Sequence, residues 1–266
     1  MTERPGSTSQ PFYTPLLFPA YNVISAVFRP QEEKGIEKGI PLTVGLFSYL
    51  ATVVASYRAV GLAWMAMYSM GEYPGFGESK EYSALWVMRI IIRNLVFTWT
   101  VCGFWDWFLY FSPMKEKLSK YKITPKYPPL DQFLHDAKYT TIASIIAAGI
   151  ECLLCHSWAN GMLAYQKDWW DTPVFNFALA GAMVLWRGPH FYVIHRVMHP
   201  WRLTGVPDIG SFLYRKVHFL HHKSYNPTAW SGASMHPIES LIYYSACLIP
   251  AMLGLHPLHT LATIVD

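Results

Sequence analysis

His195 and His199, four residues apart, and the trio His218, His221 and His222 are the side chains in this sequence best suited to holding a metal. In a helix, positions four apart share one face with Cβ atoms about 5–6 Å apart, so both imidazoles of the first pair can reach one ion. Offsets of three and four put the trio on one side of a turn or two. Imidazole suits zinc, copper, iron and nickel, so ligand type alone does not fix the metal. Ligand number narrows it, because five or six neutral histidines exceed the four donors of a closed structural zinc site. Two metals fit that number better. The chemistry in view is metal-assisted, and no acid–base or nucleophile arrangement elsewhere in the chain competes with it.

The elements that must position these histidines are apolar. The chain is 52% hydrophobic and 14% charged, against about 25% charged residues in an ordinary soluble domain. Aromatic content is 16%, including 11 Trp and 17 Tyr, and these two residues favour the membrane–water interface. The composition points to an all-α polytopic membrane protein with four or five spanning helices. Spans of about 20 apolar residues are expected at Pro41–Met70, Leu85–Phe111, Tyr139–Leu163 and Val174–Ile194. The apolar stretch Ser240–Val265 would supply one more span, or a hairpin if the chain continued. Residues 1–41 read as a polar or interfacial segment, and residues 42–266 as one membrane domain.

The histidines fall between the fourth and fifth spans. Arg187, Arg196, Arg202, Arg215, Lys216 and Lys223 stand there against the single acid Asp208. Positive charge marks a cytosolic side, so a cytosolic histidine-bearing cap is expected. Ser112–Asp136, with five lysines and four prolines, reads as an exposed loop on the same side. The net charge of +4 includes no basic run of the kind that binds nucleic acid. Cys152 and Cys155 form a C-x-x-C inside an apolar run, where two small buried thiols on a helix are expected rather than a redox pair.

The run from His190 to Pro200 resembles the H-x-x-x-H box of the fatty acid hydroxylase and sterol desaturase superfamily. Val217–Pro227 is similar to its H-x-x-H-H box, and His236-Pro237-Ile238-Glu239 to the H-P-x-E stretch of the sterol desaturase branch. The resemblance implies a di-iron enzyme of the endoplasmic reticulum that oxidises a C–H bond of a sterol or fatty-acyl lipid with O2. Cytochrome b5 and its reductase would supply electrons. By position, His195, His199, His218, His221 and His222 would be iron ligands and His236 a further one. Glu239 would orient a ligand imidazole. The superfamily's third histidine box has no counterpart here. His256 and His259 match only its first part, and a turn between two short helices is expected for them. A truncated chain is one expectation from this. A non-catalytic, metal-binding membrane protein is the alternative reading.

Overall fold

Helix α1 (Ala84–Asp106) is apolar almost throughout, and a π-helical turn (Trp107–Phe111) extends it to the Ser112 N–H, which donates to the Trp107 carbonyl. The computed structural model describes residues 77–119, 126–201 and 205–264; the expected span at Pro41–Met70 and the segment 1–41 lie outside them. The run Ala84–Phe111, 28 residues, and helix α3 (Leu130–Ala159), 30 residues, are each long and apolar enough to cross a membrane. At 1.5 Å per residue both exceed the hydrocarbon thickness of about 30 Å. A short helix α2 (Met114–Leu118) lies between them. No strand occurs among the described residues, and the protein is all-helical there.

Small residues decide how α1 and α3 meet. Ala143, Ala147, Ala148, Cys152 and Cys155 recur at three- and four-residue steps along α3 and are buried. A face of small side chains lets helices approach closely where lipid supplies no hydrophobic drive between them. Thr98 and Ser144 share a 3.0 Å hydrogen bond across this seam, and Arg93 of α1 pairs with the buried Glu151 of α3. The C-x-x-C cysteines pack in this interface as free thiols.

α3 begins nine residues before the expected span, at Leu130 rather than Tyr139. Its first turns carry Gln132 and Asp136, both buried, although the sequence pattern placed them in an exposed loop. Helix α4 (Pro173–Val197) covers the expected fourth span and bears His195 in its last turn. Helix α5 (Ile209–Lys216) follows, and a 3-10 turn (His218–Lys223) carries the histidine trio.

The apolar tail does not form one continuous helix of spanning length among the described residues. It folds as α6 (Pro237–Tyr244), a 3-10 turn (Ser245–Cys247), α7 (Leu248–Met252) and α8 (Pro257–Ala262). Pro250 and Pro257 each lack the N–H that a continuous helix needs. Gly254, at φ 66°, reverses the chain between α7 and α8. Cys247, Ala251, Leu261 and Ala262 then pack into the core beside α3. His256 sits in the turn between two short helices, as expected, and caps α8 by accepting from the Leu258 N–H.

Candidate metal centre

The first histidine pair stands at the end of a helix. α4 closes at Val197, and the His199 N–H donates to the Arg196 carbonyl at 3.2 Å, so His199 lies just beyond the helix in its terminal turn. The two rings remain neighbours, with Nε2 atoms 3.0 Å apart. Asp208 folds the following segment back, accepting from the N–H groups of Trp201 and Ser211 at 3.0 and 2.9 Å. Gly210 then passes so close that a Cβ there would lie 2.0 Å from the His199 carbonyl oxygen. Only a glycine allows α5 to start at this point, and α5 delivers the chain directly to His218.

Four imidazoles converge. His218 Nε2 lies 3.1 Å from His199 Nε2, and His222 Nε2 lies 3.2 Å from His199 Nε2 and 3.0 Å from His218 Nε2. One nitrogen from each of His195, His199, His218 and His222 falls within 4.8 Å of the others. For a metal–nitrogen bond of about 2.1 Å, ligand nitrogens sit about 3.0 Å apart at a right angle and about 3.4 Å apart at the tetrahedral angle. The four separations of 3.0–3.2 Å match neighbouring ligands around one ion.

Hydrogen bonding does not explain the cluster as well. The His218 ring is fully buried and its Nδ1 lies 2.7 Å from Glu239 Oε1, itself buried. A carboxylate there holds the imidazole proton on Nδ1 and leaves Nε2 as a bare lone pair. That lone pair faces two other ring nitrogens, each with at most one proton to share. The buried His195 Nδ1 finds no partner among the described residues. A cation at the focus of the four nitrogens relieves this crowding, so the residues fit a metal. Burial, then the neighbouring His218, His222 and Arg196, holds the His199 pKa down at about 4. Burial also lowers the pKa of His222, with His218 and His221 adding to the effect. Both rings are therefore neutral and ligand-ready at physiological pH.

The other expected ligands lie differently. His221 turns away from the four, and its Nδ1–H donates to the Ser234 carbonyl at 3.1 Å, which leaves its Nε2 as a lone pair. Its ring centre is 5.7 Å from that of His218 and 6.5 Å from that of His195. His236 caps α6, its Nδ1 accepting from the Ile238 N–H at 3.2 Å. Tyr214 flanks His199 and His222, and Phe191 flanks His195. His190 bonds Ser245 and stands outside the cluster.

Sequence reasoning missed what holds the segment 224–235 in place. Asp106, at the end of α1, accepts from the Ala229 N–H at 2.8 Å, and Tyr110 donates to the Pro227 carbonyl at 3.1 Å. From α3, Gln132 donates to the Asn226 carbonyl at 2.8 Å and Thr140 to the Trp230 carbonyl at 2.5 Å. Asp136, also on α3, accepts from the hydroxyls of Ser224, Ser231 and Ser234. The one available signal was a set of polar residues at the ends of apolar helices, which does not say where their partners are.

Residues 180–265 match the family model described as fatty acid hydroxylase, a stretch that contains all four converging histidines, His221, His236 and Glu239. Comparison with curated proteins and with solved structures gives no match.

Proposed function

We propose that this chain is a membrane lipid oxygenase, using O2 to hydroxylate or desaturate a C–H bond of a fatty-acyl or sterol substrate at a di-iron centre. The observation that carries the reading is the convergence of four imidazole nitrogens, all within 4.8 Å of one another and with four of their pairs at 3.0–3.2 Å, inside the segment that matches the fatty acid hydroxylase model. His195, His199, His218 and His222 would hold one iron. His221, with its Nε2 lone pair set by the Ser234 carbonyl, and His236 would contribute to a second.

Bound iron would supply the capacity to activate O2 against an unactivated C–H bond. The chain's own residues do the positioning. Glu239 keeps the proton of His218 on Nδ1, so that ring offers one fixed donor. Tyr214 and Phe191 pack against the rings of His199 and His195. Arg187, Arg196, Arg215, Lys216 and Lys223 give this end of the protein a positive character, which supports a cytosolic location for the centre. We assign the protein to the endoplasmic reticulum membrane as a multi-pass protein. Its electrons would come from a donor such as cytochrome b5 and its reductase.

In hydroxylation, one oxygen atom of O2 enters the C–H bond and the other leaves as water, with two electrons and two protons from the donor. Desaturation uses the same inputs, removes two hydrogens from the lipid and leaves no oxygen in it. The test is to supply 18O2, iron and the electron donor to membranes containing the chain, and to analyse their lipids by mass spectrometry. An added 18O, or the loss of two hydrogens, that disappears in His199→Ala supports the reading. Unchanged lipids from iron-loaded protein would favour a non-catalytic metal-binding protein, a reading to which the single four-nitrogen group among the described residues lends support.

A further inference from the structure

We propose that Asp136 is a positioning residue for the histidine centre, aiming His221 through the two serines that bracket it. The inference rests on the metal-binding reading above and extends it to a helix outside the stretch that matches the family.

The Asp136 carboxylate is fully buried near the start of α3. It collects an unusual number of donors. Oδ1 accepts from the hydroxyls of Ser224 and Ser234, the latter at 2.9 Å, and lies 3.1 Å from His135 Nδ1. Oδ2 accepts from Ser231 at 2.8 Å and from the Gln132 amide at 3.4 Å. A carboxylate offers about four lone-pair positions, so this one is saturated. A buried charge is costly unless its hydrogen bonds are this complete, and the arrangement has one geometry rather than several.

Two of those donors lead to a single ring. Ser224 ends the turn that carries the trio, and its N–H donates to the His221 carbonyl at 3.1 Å. Ser234 offers its own carbonyl to His221 Nδ1 at 3.1 Å. Asp136 therefore grips the backbone behind His221 and also the acceptor in front of it. The ring's tautomer and direction follow from both contacts. Other ties between the same helices and the same segment lack this property. Thr140 and Tyr110 bond the carbonyls of Trp230 and Pro227, and no described bond runs from either carbonyl to a histidine.

Cobalt(II) tests this, since its visible absorption reports the number and geometry of its ligands. The full chain in detergent would be titrated with cobalt(II), alongside His221→Ala, Asp136→Asn, Ser234→Ala and Thr140→Val. Helix content would be read by circular dichroism. The proposal expects Asp136→Asn and Ser234→Ala to keep their helix content and to reproduce the spectral change of His221→Ala. It expects weaker binding of the affected cobalt by about 10- to 100-fold, the usual range for groups that orient a ligand. Adding His221→Ala to Asp136→Asn should change nothing further, and Thr140→Val should keep the parent spectrum. A parent-like spectrum in Ser234→Ala and Asp136→Asn beside an altered His221→Ala would overturn the proposal. So would equal losses in Asp136→Asn and Thr140→Val, which would mark a general tether. If the parent chain takes up no cobalt, the metal reading itself fails, a result distinct from either of these. Should Asp136→Asn not fold, Ser234→Ala, which removes one hydroxyl, still decides between the outcomes.

Discussion

Among the converging imidazoles, His218 shows most clearly how neighbouring groups orient a ring. Its Nδ1 lies 2.7 Å from Glu239 Oε1, a contact that favours the tautomer with the proton on Nδ1 and Nε2 as the acceptor. Glu239→Gln keeps the shape of the side chain but removes the charge that holds the proton. The expected result is metal affinity lower by about 10- to 100-fold at unchanged helix content, measured by competition with a chelator. Acid acts on the metal-free protein in a calculable direction. An unfolded histidine takes its proton near 6.5, whereas folded His199 takes one only near about 4. Between those values the unfolded state binds more protons, so stability falls as the pH drops through that window. Denaturant midpoints of metal-free protein should decline from pH 6.5 towards 4, and less steeply in His199→Asn. The spacing of His195, His199, His218 and His222 made the cluster legible in the sequence. The separate direction of His221 was not legible, because offsets of three and four look alike until a 3-10 turn and the Ser234 carbonyl separate them. Asp136 was hidden for a different reason: the serines it binds are 88 to 98 residues away.

At the scale of elements, α1 and α3 form the frame on which the histidine segment hangs. Their apolar runs were legible from composition, since length and lack of charge are what a bilayer demands. The pair of partly buried Arg93 and buried Glu151 ties the two helices, with Asn94 donating to the same carboxylate at 3.2 Å. Removing one member breaks a partly buried ion pair and is the costlier change, whereas replacing both with apolar residues is often nearly neutral. Arg93→Leu and Glu151→Leu should each lower the midpoint of thermal unfolding in detergent markedly. The double variant should recover most of the loss, and equal losses in all three would remove the pair from the account. The turn at His256 was legible, but the earlier breaks in the tail were not, because periodicity and hydropathy register apolar character and not breaks. Pro250, Gly254 and Pro257 turn one apolar stretch into several short helices.

The whole molecule reads as a membrane protein whose histidine-bearing end is held by side chains from two helices long and apolar enough to span a bilayer. Leu85, Met88, Ile92, Val96, Trp99 and Phe104 of α1 are exposed among the described residues, and only 11% of the helix's most apolar window is buried. So large an apolar surface requires lipid or another apolar partner. The chain should therefore stay with membranes through alkaline carbonate extraction and leave them only with detergent; release by carbonate would contradict this. The central claim is that the four converging nitrogens hold a metal, and the most direct test is the metal content of the purified full chain in detergent after loading with iron. The expected result is bound iron that is lost in His199→Ala and in His218→Ala, with helix content preserved. No bound iron in the parent chain, or the same content in these variants, would contradict it.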